Sequence, residues 1–176
     1  MTFCVSRHFR RFMPVGTMST KSGIVSLLSI HPTEYDDFFI QYSKYSDELE
    51  PHKARRNQKE MVLYREAVIE ELGEGSNREL FWIMEGDLRA GFVMTRCFPD
   101  WPDESILIGS ISEFYIFVLG RRRGIGTKAV SIAITNLHLK GAEVIEADVL
   151  YSNEHALTFW KSLGFNIEFF GTSRRL

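Results

Sequence analysis

The chain of 176 residues has only two cysteines, Cys4 and Cys97. They form no CxxC pair and no zinc-type spacing, which excludes a disulfide scaffold and points to a reducing, cytoplasmic setting. A buried, inert Cys97 is expected. Long apolar runs are also lacking: none approaches the 18 residues of a membrane-spanning helix. Charge of one sign is lacking too. The 21 Lys and Arg nearly balance the 23 Asp and Glu, for a net charge of −2. That gives no electrostatic case for nucleic acid or for an anionic membrane surface. The five histidines (His8, His31, His52, His138, His155) show no ligand spacing, and HExxH is absent, so no metal is expected.

What is present is an ordinary globular composition, 44% hydrophobic and 25% charged, long enough for one domain with a sizeable core. The first 22 residues contain Arg7, Arg10, Arg11 and Lys21, and the first acid is Glu34. They lack the apolar core of a secretory signal. An organelle-targeting segment and a start at Met13 or Met18 are both compatible. The expectation is a flexible extension over 1–22 and a single domain over 23–176.

Ile24–Ile30 reads as a first strand. Pro32 opens a helix whose Tyr35, Phe38, Phe39, Tyr42, Tyr45 and Leu49 share one face, and Glu50-Pro51 breaks it. A second helix spans about Asn57–Leu72, closed by Gly73, Gly75, Ser76 and Asn77. Glu79–Glu85 and Leu88–Arg96 form a hairpin around Gly86-Asp87. Gly91 marks a bulge or a close backbone approach. Cys97–Ser105, with two prolines, reads as a loop.

Next come a strand over Ile111–Val118 and a helix over about Gly126–Leu139, with Lys140-Gly141 as its stop. Val144–Leu150 alternates as a strand: Ile145, Ala147 and Val149 on one face, Glu146 and Asp148 on the other. A strand, a crossover helix and a strand make these two strands parallel. A helix over Glu154–Leu163, ended by Gly164, and a strand over Phe165–Phe170 complete the chain. The expected fold is a mixed α/β sheet in one domain.

Between the strand and the helix lies Gly120-Arg121-Arg122-Arg123-Gly124-Ile125-Gly126-Thr127. A helix N-terminus offers free N–H groups and positive partial charge, glycine allows close approach, and arginine suits phosphate. The turn therefore reads as a phosphate cradle. It is not a Walker A loop, because Thr127-Lys128 stands in reversed order. A dinucleotide fingerprint is nearer: Gly124-x-Gly126-x-x-Ala129 precedes Asp148 by about 20 residues, where a ribose-binding acid belongs. Yet too little chain follows Asp148, and a hairpin precedes the motif, so a complete Rossmann sheet does not fit.

Arg121-Arg122-Arg123-Gly124-Ile125-Gly126 resembles the R/Q-x-x-G-x-G/A signature of the GNAT N-acetyltransferase superfamily. Asn153, Ala156, Phe159-Trp160 and Gly164-Phe165 resemble its second pattern, and the element order agrees over 24–170. The resemblance implies a central mixed sheet with a splayed parallel strand pair, flanking helices, and acetyl-coenzyme A as co-substrate. It places the pantetheine arm against Phe114, Ile116, Phe117 and Val118, and the pyrophosphate on the backbone of Arg121, Arg122, Arg123, Gly124, Ile125, Gly126 and Thr127. Asn153, Ala156, Phe159 and Trp160 would hold or line the arm. The acceptor would be a small-molecule or peptide amine, and a homodimer stays compatible.

Direct transfer in a ternary complex needs a base and an oxyanion donor, and no cysteine nucleophile. Glu113 is the candidate base, the backbone N–H of Phe114 the oxyanion donor, and Ser110 a residue lining the same strand. Where many members carry a tyrosine acid this chain has Trp160, which cannot serve as an acid near neutral pH. Tyr115, Tyr151 or water then supplies the proton. The alternatives are a non-catalytic acyl-coenzyme A sensor of the same fold and, further off, an NAD-binding protein using Asp148.

Overall fold

In the computed structural model the described residues are 23–49, 58–72, 76–169, 171, 172 and 174. The expected extension over 1–22, the Glu50-Pro51 break, Asn57, Gly73, Gly75 and Phe170 lie outside them. The first strand, β1, is Val25–Ser29. A 3₁₀ turn at Pro32–Glu34 leads into α1, Tyr35–Leu49, which buries Phe38, Phe39 and Tyr42. Helix α2 is Gln58–Glu71. Strands β2 (Arg78–Glu85) and β3 (Leu88–Pro99) pair across Gly86-Asp87, with Gly86 at φ +59°, as a tight hairpin turn requires. Then follow β4 (Leu107–Ile116), α3 (Ile125–Leu139), β5 (Val144–Glu146) and α4 (Glu154–Ser162).

The strands lie in the order β1-β2-β3-β4-β5, antiparallel except for the parallel β4–β5 pair. That is the expected mixed sheet. One face carries α1 and α2 over Phe38, Tyr42, Leu80, Trp82, Phe92 and Met94. The other carries α3 and α4 over Val93, Ile111, Ala129, Val130, Leu137 and Trp160. Both helix stops read from glycine hold as Schellman caps. At α3, Gly141 (φ +96°) donates to His138 and Ala142 to Leu137. At α4, Gly164 (φ +91°) donates to Lys161 and Phe165 to Trp160.

Four expected boundaries shift. Cys97–Pro99 belongs to β3 rather than to a loop, because Cys97 pairs with Gly109 and Pro99 with Leu107. The buried Cys97 thiol is pushed up by that burial. Strand β4 starts at Leu107 and ends at Ile116, since Phe117 N bonds to Ala90 O and Val118–Gly120 turns as a 3₁₀ segment. β5 pairs only over Val144–Glu146, not to Leu150. Phe165–Phe169 forms no strand: Phe165 is spent on the α4 cap and on Trp160, 4.9 Å between ring centres.

Gly91 does mark a close approach. A Cβ built there would stand 2.1 Å from the Tyr115 carbonyl oxygen. An irregularity in the β2–β3 register also falls beside it, Ile83 facing Gly91 while Met84 faces Arg89.

Candidate active site

The site is set by where β4 loses its neighbour. β3 pairs with β4 along its length, from Leu107 to Ile116. β5 pairs with it only at Ile108, Gly109 and Ser110. Beyond Ser110 and Glu146 the parallel strands part, and the 111–116 backbone has no strand on that side among the described residues. Backbone N–H and C=O groups along such a gap call for another partner.

A bulge re-aims the side chains at the same place. Glu113 faces Met94 and Ile111 faces Thr95, which leaves Ser112 without a counterpart on β3. The extra residue reverses the alternation. Ile111, Phe114 and Ile116 pack with α3 and α4, whereas Tyr115 and Phe117 pack under α1, and Glu113 reaches Tyr42 there.

The turn after β4 leads straight into the N-terminus of α3. Gly124, at φ +75°, is the α3 N-cap and makes no side-chain cap. Arg122 also takes a positive φ, +59°. The N–H groups of the first helical turn have no intrahelical acceptor, and such free groups attract anions. A Cβ at Gly126 would touch the Phe159 ring at 3.4 Å and Ile116 at 3.6 Å, so α3, α4 and β4 converge there.

The three arginines differ. Arg121 is committed: Nη1 and Nη2 donate to Glu48 at 2.6 and 2.8 Å, and Nε donates to the Ile116 carbonyl at 2.8 Å. Its N–H bonds within the turn, to Val118 O. Arg123 pairs with Glu85 at 2.8 Å. Arg122 is exposed.

α4 supplies the aromatic wall. Asn153 Oδ1 accepts from Ala156 N at 3.1 Å, the N-cap of α4, so this asparagine orients the helix. Phe159 stacks on Phe114, 5.8 Å apart and 13° from parallel. Trp160 is 7% exposed and packs edge-on to Phe114, Phe159 and Phe165. Its observed part is packing. Val118 is 68% exposed, and Phe117 lies on the α1 side, away from Phe114 and Phe159.

On the α1 side, Glu113 Oε1 accepts from Tyr42 at 3.4 Å and from Tyr64 at 3.3 Å. Tyr115 donates to Glu48 at 2.6 Å, and burial, then Glu48, pushes its hydroxyl up to about 12. Tyr151 is exposed in the turn after β5. Ser110 is 1% exposed and pairs across to Glu146. The Glu146 carboxyl is pushed up by burial and then by Asp148, against Arg96 and the Ser110 hydroxyl.

Sequence reasoning did not single out Tyr42, Tyr45, Tyr64 or Glu146 as site residues, and it read Glu48 as one acid of the acceptor side rather than as the partner of Arg121. Tyr42 and Tyr45 read as part of the first helix's apolar stripe and Tyr64 as part of the second's, and nothing local distinguishes a stripe that packs from one that also donates. Among the described residues no three His, Cys, Asp or Glu side chains are placed to hold a metal, and no helix is long and apolar enough to cross a membrane. Among the described residues one strand pair is parallel, whereas a Rossmann sheet needs several, so the sheet does not support the NAD reading.

Solved structures share this fold at low identity. A transcriptional regulator from Bacillus halodurans C-125 superposes with a TM-score of 0.69 at 19% identity, covering 87% of this chain and 100% of its own. The aminoglycoside acetyltransferase meta-AAC0020 from an uncultured soil metagenomic sample, solved with sisomicin, gives 0.63 at 15% identity over 86% and 96%. Aminoglycoside N-acetyltransferase AAC(6')-Iy, solved with CoA, gives 0.65 at 13% identity over 89% and 97%. At these identities the likeness is one of fold. No curated protein matches the chain in sequence. The model of the Acetyltransferase (GNAT) family matches residues 36–165, most of the chain and all of the site just described, and the protein belongs to that family.

Proposed function

We propose that the protein transfers an acetyl group from acetyl-coenzyme A directly to a primary amine. The observation that carries this reading is the parting of β4 from β5 after Ser110 and Glu146, at the foot of the α3 N-terminus. The gap offers backbone partners to an amide-bearing arm, and the helix N-terminus offers them to its pyrophosphate. The 122–127 backbone is the cradle, with Arg121 bracing it from behind. Phe114, Phe159 and Ala156 line the arm.

Glu113 acts as base, directly or through a water. A free alkyl ammonium has a pKa of about 10.4, so the attacking nitrogen must give up a proton. The amine lone pair then forms the C–N bond at the thioester carbonyl. The Phe114 N–H holds the resulting oxyanion, as a preorganised donor should. The C–S bond breaks, the thiolate takes up a proton, and the nitrogen, cationic after attack, sheds its second proton to water. A thiol has a pKa of about 8.5, so its leaving needs only a weak acid, and water suffices with Trp160 in place of a tyrosine. The acids Asp100, Asp103 and Glu104 in the loop between β3 and β4 favour a cationic acceptor.

Thermal unfolding with and without millimolar acetyl-coenzyme A tests the reading, because a ligand that binds only the folded state must stabilise it. A raised Tm is expected, and no change removes the proposal. A second reading, a non-catalytic acyl-coenzyme A module, draws on the burial of Trp160 among phenylalanines. It predicts the same rise in Tm without turnover.

A further inference from the structure

Three tyrosines meet one carboxylate under the β4 bulge. From α1, Tyr42 donates to Glu113 Oε1 at 3.4 Å, and Tyr45 lies near enough to feel the carboxylate's charge. From α2, Tyr64 donates to the same Oε1 at 3.3 Å. These partners lie 71 and 49 positions away for Tyr42 and Tyr64, so only the packed α1–α2–sheet layer assembles them.

The rings cannot drift. Tyr42 is 3% exposed and stacks on Tyr64 with centres 4.5 Å apart and 13° between planes. Tyr45 packs on Tyr42, Phe92 and Tyr115 at 5.7, 5.7 and 5.3 Å. Hydroxyl distances of 3.3–3.4 Å are long for O–H···O, and catalytic hydrogen bonds commonly tighten when substrates assemble the site.

We propose that Tyr64, together with Tyr42, is a positioning residue for acetyl transfer, holding the Glu113 carboxylate oriented and ionised beside the Phe114 N–H. This rests on Glu113 being the base. Half-burial at the bulge disfavours the charged form of a carboxylate, and hydroxyl donors to it favour that form. Burial also pushes the Tyr45 and Tyr64 hydroxyls up, so both stay protonated throughout the working range. Among the described residues, the groups facing the carboxylate include Tyr42 and Tyr45 from α1 and Tyr64 from α2. Met94 stands opposite on β3 with Arg96 two places on. Tyr115 follows on β4, tied to the Glu48–Arg121 pair.

The test is the pH dependence of kcat/KM for the wild type, Tyr64→Phe and Glu113→Gln, with the acetyl-coenzyme A thermal shift as a check on folding and donor binding. Losing one hydroxyl donor should move the acid limb of Tyr64→Phe to higher pH by about half to one pH unit. The thermal shift stays as in the wild type, and Glu113→Gln loses the limb altogether. A Tyr64→Phe profile that overlays the wild type, while Glu113→Gln still loses the limb, overturns the positioning role and leaves the base in place. An acid limb that survives in Glu113→Gln overturns both. Should Tyr64→Phe fail to fold, Tyr42→Phe carries the same test with the same outcomes.

Discussion

Arg121 and Glu48 form a two-pronged ion pair that joins the turn after β4 to the last residues of α1. Nη1 lies 2.6 Å from Oε1 and Nη2 2.8 Å from Oε2, while Nε holds the Ile116 carbonyl. Tyr115 adds its hydroxyl to the same carboxylate and lies under the guanidinium, 5.2 Å from it to the ring centre. The bonds from Arg121 hold the Glu48 carboxyl below the usual carboxylate range. The cofactor side and the α1 side of the molecule are thus fastened at one point.

That pair sets a pH-dependent stability. A carboxyl whose folded pKa is depressed stabilises the fold above its unfolded value, about 4.3, and stops doing so as pH falls through the folded value. Both side chains are roughly half exposed, so Glu48→Gln should cost about 0.5–1 kcal/mol at pH 7. Urea unfolding at pH 7 and near pH 3 checks this. The gap between variant and wild type should close at the lower pH.

The cradle separates shape from charge at Gly126. An added methyl meets the Phe159 ring at ordinary contact distance, so Gly126→Ala should fold and keep most of its donor affinity. Gly126→Asp places a carboxylate at the helix N-terminus and should weaken acetyl-coenzyme A binding about 100-fold or more, roughly 2.7 kcal/mol. Calorimetric titration of the two variants measures the difference.

Gly91 tests the β3–β4 frame behind the site. Its Cβ would fall on the Tyr115 carbonyl, a backbone atom that cannot swing away. Gly91→Ala should destabilise the protein by more than about 2 kcal/mol, the range of severe overpacking. A denaturant midpoint close to the wild type would show that the strands can part without cost.

Glu146 has the opposite sign from Glu48. Its folded pKa is raised, so it stabilises the fold when protonated and ceases to as pH climbs from its unfolded value through the folded one. Glu146→Gln should therefore raise Tm at pH 7 and leave it unchanged near pH 4. Differential scanning calorimetry at the two pH values tests this. A lower Tm at pH 7 would mean that the attraction of the Arg96 charge outweighs the burial of the carboxylate.

The sequence spoke most clearly where the signal was local. Gly124, Gly141 and Gly164 sit at the positive-φ positions their turns require, and the Gly86-Asp87 hairpin formed as expected. The Arg121–Thr127 turn falls between a strand and a helix for the same reason. What stayed hidden depends on register between distant strands. The bulge at Ser112 exists only because β4 must match β3, and it decides that Glu113 faces the tyrosines rather than α4. β5 is short because its partner leaves it, not because Ala147–Leu150 is unsuited to a strand. Phe165–Phe169 has strand-like composition, but the α4 cap and Trp160 take Phe165 first. Nothing near Glu48 in sequence names Arg121 as its partner.

The most direct measurement of the central claim is release of free thiol from acetyl-coenzyme A, followed with a panel of primary amines and with none. The account predicts release that depends on an amine, saturates with both substrates in the intersecting pattern of a ternary complex, and falls steeply in Glu113→Gln. Donor binding with no amine-dependent release across the panel would contradict it and leave the fold as an acyl-coenzyme A receptor.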